Sequence, residues 1–291
     1  MRKVAIAISG QFRWHQDAIN SIKKYLVDPN DADMYFVFSN QINNKYKKID
    51  ETYIRQTVMS NFLERVVSLK VTTDTPYKSL KPNCTFKDDM DSELEIIKDR
   101  VHPRNKKMEI LSKEIEDHEI KRGKEYDVII YVRPTLLLKD YIVPKNLSDN
   151  TVYAFGKYIS GDGFKNIPRN WDGIYYGTSK IYHKASRNLV GNFPSIVGIK
   201  EDAKVLFEKV RHHCFIFAPE LVLTYNWVVR SNLKIEFINL NTMYFYGAGN
   251  NYVRSYTFKD LKPIQNSIAS NLPNDYKIPE KFINKSLAHL Y

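Results

Sequence analysis

The chain reads as an open α/β fold with a mostly parallel central sheet flanked by helices. Three observations predict it. Val4-Ala5-Ile6-Ala7-Ile8 and Asp127-Val128-Ile129-Ile130-Tyr131-Val132 are near-continuous apolar runs, the pattern of strands covered on both faces. Met34-Tyr35-Phe36-Val37-Phe38 follows the first run after a helical stretch, giving a β-α-β start with parallel strands and a right-handed crossover. Both long runs stop at small, polar and basic residues: Ser9-Gly10-Gln11-Phe12-Arg13 and Arg133-Pro134-Thr135. In such sheets ligands bind beyond the carboxyl ends of the strands. Two ends that each carry an arginine therefore read as a site for a phosphorylated ligand.

The remaining elements follow from periodicity. A helix over about 15–26 places Ile19, Ile22 and Leu26 on one face and ends at Asp28-Pro29-Asn30. A second helix covers 51–64 and leads into a strand at 66–71. Residues 72–89 are polar, contain Pro76 and Pro82, and read as a long loop. A long helical segment through 94–120, interrupted near Pro103, carries Met108, Leu111, Ile115 and Ile120 on its apolar side. Gly123 stops it. Short strands are expected at 152–155 and 174–176, with a loop or exposed connection at 157–171 holding Gly161, Gly163 and Pro168. Helices are expected from Ser179, over 201–210 and from Pro219, then a strand over 235–240 and a polar tail that wraps the domain. The expectation is one domain over 1–291, with a nucleotide half (1–140) and an acceptor half (141–291).

Composition narrows the partners. With 291 residues and 43% hydrophobic content, the chain can build a sizeable core. The formal net charge of +11 favours anionic ligands. The lysines are scattered among acids rather than blocked, which argues against a nucleic-acid tail and reads most of them as solvated surface. Cys84 and Cys214 fit no metal spacing, and a reducing compartment is the simpler assumption. No stretch approaches the roughly 20 apolar residues of a membrane span, so a soluble protein is expected.

Several residues carry candidate chemistry, each beside a plainer reading. Gly10 after a buried strand allows close backbone approach to a ligand, Ser9 and Gln11 can hydrogen-bond it, and Arg13 can fork onto a diphosphate. The plainer reading is a tight turn with a surface arginine. Arg133 at a strand end needs an anionic partner, either a phosphate or a carboxylate such as Asp127 or Asp172. Thr135 adds a neutral hydroxyl. Trp171 can stack on a sugar and Asp172 can bind hydroxyls. Asp162 between two glycines is equally a turn aspartate. Glu220 after Pro219 at a helix start is either a base for an acceptor hydroxyl or a residue serving only the helix. The loop after Tyr244-Phe245-Tyr246 is either a flap over an acceptor or a connection.

The opening Ile-x-Ser-Gly-Gln-x-Arg, Tyr126-Asp127-x-Ile129-Ile130-x-x-Arg133-Pro134, Trp171-Asp172 with Tyr176-Gly177, and Pro219-Glu220 resemble nucleotide-sugar glycosyltransferases of the GT-A type. More narrowly, they resemble the soluble glycosyltransferase-like proteins of bacteria, algae and large DNA viruses. The resemblance spans about residues 3–240, thinly in the middle. It implies a Rossmann-type nucleotide-sugar-binding half fused to an acceptor half, and a cytoplasmic or host-cytoplasmic protein of glycan biosynthesis. The donor would meet Ser9, Gly10, Gln11, Arg13, Arg133, Thr135 and Lys157. The acceptor, an oligosaccharide or glycoprotein glycan, would meet Trp171, Asp162 and Tyr246, with Asp172 and Glu220 as the catalytic carboxylates.

One departure matters. The group usually reads Arg-Pro-Asp where this chain has Arg133-Pro134-Thr135. The Asp-x-Asp motif that holds Mn or Mg on the diphosphate in many GT-A enzymes is absent there. A divalent ion held by another acid stays open. The reading preferred here is that Arg13, Arg133 and Lys157 neutralise the diphosphate without metal. Other classes also stand: a nucleotidyl or phosphoryl transferase, which needs carboxylate-held metals more urgently, and a non-catalytic basic protein that binds carbohydrate or nucleic acid.

Overall fold

The computed structural model describes residues 2–13, 16–42, 47–74, 102–161, 164–187, 189, 223, 226, 227, 231–238, 243–246 and 253–256, in part as backbone alone. In chain order the described elements are β1 (Val4–Gln11), α1 (Gln16–Ile22), β2 (Asp33–Ser39), β3 (Gln41–Ile42), β4 (Lys47–Lys48), α2 (Glu51–Phe62), β5 (Val66–Thr72), α3 (His102–Arg122), β6 (Val128–Val132), β7 (Leu136–Leu137), β8 (Thr151–Gly161), β9 (Phe164–Gly177), α4 (Ser179–Ser186), β10 (Lys234–Phe237), β11 (Met243–Tyr246) and β12 (Val253–Tyr256). They group into two units. One contains Met1–Phe12, Asp31–Arg133 and Pro144–Ile238; the other contains Arg13–Asn30, Pro134–Val143 and Asn239–Tyr291.

The first unit holds a seven-stranded sheet in the order β10-β8-β9-β6-β1-β2-β5. β1 pairs in parallel with β2 and β6, β2 with β5, and β8 with β10, whereas β9 runs antiparallel between β6 and β8. This is the mostly parallel, helix-flanked sheet that the sequence predicts. Strand alternation sorts the side chains onto two faces. Ala5, Ala7, Tyr35, Val37, Tyr131 and Tyr175 form one core with Met108, Leu111 and Ile115 of α3 and Ile181 and Tyr182 of α4. On the opposite face Phe36 packs with its ring centroid 6.0 Å from that of Phe62 of α2 in a tilted contact, and Phe12 meets Phe38 and Tyr53 edge-on at 5.1 and 6.0 Å. The apolar runs of β1 and β6 are thus buried from both sides, which is why they lack polar alternation.

Local chemistry sets the helix ends. The Asp50 side chain accepts the Thr52 N–H at 2.9 Å and caps α2. α3 stops at Gly123, whose φ of 66° suits a residue without Cβ. At the β9–α4 turn, a Cβ on Gly177 would lie 2.8 Å from Ile181 Cγ2, so the close approach of strand and helix depends on glycine.

Two sequence expectations need correction. Residues 157–161 and 164–171 pair as an antiparallel ribbon rather than a loop: Lys157 pairs with Arg169, Tyr158 with Pro168 and Ile159 with Ile167. Proline is tolerated because each residue of a two-stranded ribbon alternately turns its N–H away from its partner. Ile120 is 71% exposed instead of lying on the apolar side of α3. The buried stripe runs Met108, Ser112, Ile115 and Glu119, so the 3.6-residue period reaches Glu119 and leaves Ile120 facing outward. The helix expected at 201–210, most of the one expected from Pro219, residues 75–101 and the loop at 247–252 lie outside the described residues.

In the second unit, α1 continues through a π-helical segment, Lys23–Val27, and a further turn, Asp28–Asn30. Ile19, Ile22 and Leu26 are buried, as the spacing predicts. Ser21 Oγ accepts the Leu138 N–H at 3.1 Å, and Asn30 Nδ2 donates to the Leu26 and Ile142 carbonyls at 2.7 Å each, tying the 134–143 segment to this helix. β11 pairs antiparallel with β7 and β12. Among the described residues, no helix is long and apolar enough to cross a membrane.

Candidate functional site

The strand order places β2 and β5 on one side of β1 and β6 on the other. Chain order therefore reverses between β1 and β6. In open α/β sheets a crevice opens beyond the carboxyl ends at such a reversal, because the connecting chains depart to opposite faces. The β1–β6 ladder runs from Val4–Val128 to Ile8–Val132. Ser9, Gly10 and Gln11 thus stand beside Arg133, just past the last shared pair. The Arg133 N–H donates to the Gly173 carbonyl at 2.8 Å, extending the ladder toward β9. Since Val132 pairs with Ile174, the backbone of Trp171 and Asp172 arrives at this same edge.

Four expected donor residues or their immediate neighbours are gathered here. Ser9 is 1% exposed, and its carbonyl accepts the Tyr131 hydroxyl at 3.4 Å. Gly10 has φ 157°, just inside the range that residues bearing a Cβ rarely adopt. Gln11 and Arg133 are partly buried. Lys157 lies on the backbone of β8, on the ribbon that runs on past the carboxyl end of β6. Arg13, Thr135 and Tyr246 belong to the second unit. Asp162 and Glu220 lie outside the described residues. Asp127 is not the partner of Arg133. It sits at the amino end of β6, where its carboxylate accepts the Lys3 N–H at 2.6 Å, and the whole strand, about 17–20 Å, separates the two.

Sequence reading missed a set of residues at the start of α3. The direction of this helix is fixed by its contacts. His118 meets Tyr35 edge-on, Glu114 accepts from Ser68 at 2.9 Å and pairs with Lys70 at 2.5 Å, and Lys107 pairs with Asp74 beyond β5 at 2.5 Å. α3 therefore descends from the carboxyl edge, and Arg104, Asn105 and Lys107 lie at its upper end. Lys107 is 3% exposed and Asn105 is 0% exposed. Burial pulls the Lys107 ammonium below the usual lysine range, opposed by Asp74. In the sequence, Arg104-Asn105-Lys106-Lys107 reads as one more solvated basic stretch. The usable signal is the three-four spacing of Asn105, Met108, Ser112 and Ile115, which puts a polar amide on the buried stripe. Three buried polar atoms near this edge have no hydrogen-bond partner among the described residues: Ser9 Oγ, Gln41 Oε1 and Asn105 Nδ2.

A second polar cluster lies at the opposite, amino edge. Glu119 Oε2 accepts from His183 Nε2 at 2.8 Å and from Ser179 at 3.0 Å, and Oε1 accepts the Tyr126 N–H at 2.6 Å. His183 Nδ1 bonds Ser112 at 2.8 Å. Glu119 and His183 also line a surface depression of about 770 Å³, rimmed by Lys124, Lys180 and Lys184. The order Ser–His–Glu resembles a nucleophilic triad, but Ser112 is 1% exposed in mid-helix and both ring nitrogens are engaged by the protein. The cluster clasps α3 to α4.

Among the described residues, no group of three or more His, Cys, Asp and Glu side chains is disposed to hold a metal ion. Comparison with protein-family models and with curated proteins gives no match to this chain. The sheet order and the position of its reversal define an α/β protein of the generic Rossmann-like, nucleotide-binding type.

Proposed function

We propose that the chain is a glycosyltransferase that moves a sugar from a nucleoside diphosphate sugar to a hydroxyl of an oligosaccharide or glycoprotein glycan. The observation that carries this reading is the reversal between β1 and β6, which brings Ser9, Gly10 and Gln11 beside Arg133. In the reaction, negative charge builds on the departing diphosphate. Fixed cations that need no reorganisation stabilise that charge most effectively in a site from which water is excluded. Arg133 supplies one such cation. Arg13, which follows β1 in sequence, and Lys157 are proposed as others. Gly10 admits the backbone close to the donor, while Ser9 and Gln11 hydrogen-bond it. Thr135 is a further proposed donor contact.

The attacking hydroxyl must lose its proton as the new bond forms. Glu220 is proposed as the base and Asp172 as its rival, with Trp171, Asp162 and Tyr246 contacting the acceptor.

Thermal-shift and calorimetric titration against a panel of nucleoside diphosphates and their sugars, with and without manganese, tests the reading. Saturable binding of at least one donor, with transfer to a glycan acceptor, is the expected result. Salt-sensitive binding to mixed oligonucleotides with no affinity for any nucleotide sugar would replace it with the nucleic-acid reading. Glu220→Gln is expected to keep donor affinity and lower turnover by about 10²-fold or more. Unchanged turnover removes Glu220 from the catalytic set.

A further inference from the structure

Asn105 carries an unusual demand. Its Oδ1 accepts from Arg104 Nε at 3.3 Å and Nη2 at 3.0 Å. A guanidinium only donates, so the amide orientation is fixed and Nδ2 is the free end. That NH₂ group is 0% exposed and has no acceptor among the described residues. A buried donor left unmatched is costly, so such groups in native folds point to a partner. The Arg104 guanidinium that holds Oδ1 sets a positive charge beside this amide. The surroundings favour an anionic acceptor over a neutral one.

Asn105 lies on the inward stripe of α3, at the end nearest the carboxyl edge. The face beneath is the one bearing Ala5, Ala7, Tyr35, Val37 and Tyr131. Alternation puts Ser9, whose Oγ is likewise unmatched, on that same face at that same edge, along with Arg133.

We infer that Asn105, with Arg104 beside it, forms an oxyanion-binding wall of the crevice and takes a phosphoryl oxygen of the donor diphosphate. The inference rests on the nucleotide-sugar reading but names residues and a ligand group that this reading does not require.

Calorimetric titration of the full chain with inorganic pyrophosphate tests it. Asn105→Ala is expected to weaken pyrophosphate binding about tenfold, the effect of one hydrogen bond to a charged group. Asn105→Asp should weaken it further, since a carboxylate then faces the anion while Arg104 still holds the side chain. Circular dichroism establishes that both variants are folded. If they are not, Arg104→Gln, a change at a partly exposed position that removes the positive charge beside Asn105, carries the test, with the same tenfold loss expected. Wild-type affinity in the folded variants overturns the inference. So does a wild-type chain that ignores pyrophosphate. If a nucleoside diphosphate sugar still binds in either case, the reading under Proposed function stands without this wall.

Discussion

Glu119→Leu is expected to destabilise the chain by about 3–5 kcal/mol, because it leaves three buried donors without their acceptor at about 1–3 kcal/mol each. For a protein of this size that lowers the melting temperature by about 10 °C. The Glu119 side chain is 5% exposed and accepts three hydrogen bonds, from the His183 ring, the Ser179 hydroxyl and the Tyr126 N–H. Leucine fills the space and strands all three donors. Glu119→Gln should cost far less. Its amide oxygen can keep the Tyr126 bond. Its NH₂ can face His183 once the ring changes tautomer and donates from Nδ1 to Ser112, and the Ser179 hydroxyl can rotate.

Acid dependence separates the two variants. These hydrogen bonds hold the Glu119 carboxyl below the ordinary glutamate range despite the opposing effect of burial. The unfolded chain therefore binds a proton more readily at this position than the folded chain. The stabilisation is fully present above the ordinary glutamate range and is lost as pH falls through the lower, folded value. Chemical denaturation from pH 7 down to pH 3 should show this loss in wild type and a smaller loss in Glu119→Gln. Equal stability of wild type and Glu119→Leu at pH 7 would mean that the clasp between α3 and α4 contributes nothing.

The contrast between Glu119 and its neighbours shows what the sequence could reveal. Strands buried on both faces announce themselves by unbroken apolar runs, so β1, β2 and β6 were legible, and with them the edge where Ser9 and Arg133 meet. The crossovers fixed parallel pairing between β1 and β2. Nothing local in the sequence could show that β6 joins β1 on the side away from β2, because that pairing is non-local. The polar members of the buried stripe on α3 were hidden for a different reason. Asn105, Lys107, Ser112 and Glu119 are buried because specific partners satisfy them or their position demands it, and hydropathy reads each as surface. Residues 157–171 read as a loop because their glycines and proline outweigh the strand-favouring Tyr158, Ile159 and Ile167, which show no clean alternation. Glycine and proline are tolerated in a two-stranded ribbon and would not be in the middle of the sheet.

Arg133→Ala is expected to leave the fold intact and weaken nucleoside diphosphate binding by about 10–100-fold, with loss of transfer. The fold should survive because the backbone of Arg133, not its side chain, continues the ladder to Gly173. Ligand binding should suffer because Arg133 stands beside Ser9, Gly10 and Gln11 at the reversal of the sheet. Arg133→Lys distinguishes charge from shape. Lysine keeps the positive charge but has no planar fork, so it should recover only part of the affinity if the guanidinium grips two oxygens together. Full recovery with lysine would reduce the role of Arg133 to a point charge. If Arg133→Ala instead unfolds the chain while the folded fraction binds nucleoside diphosphate as well as wild type does, the side chain belongs to the scaffold. The crevice would then have to find its anion-binding power elsewhere, and the glycosyltransferase reading would lose the cation on which its chemistry depends.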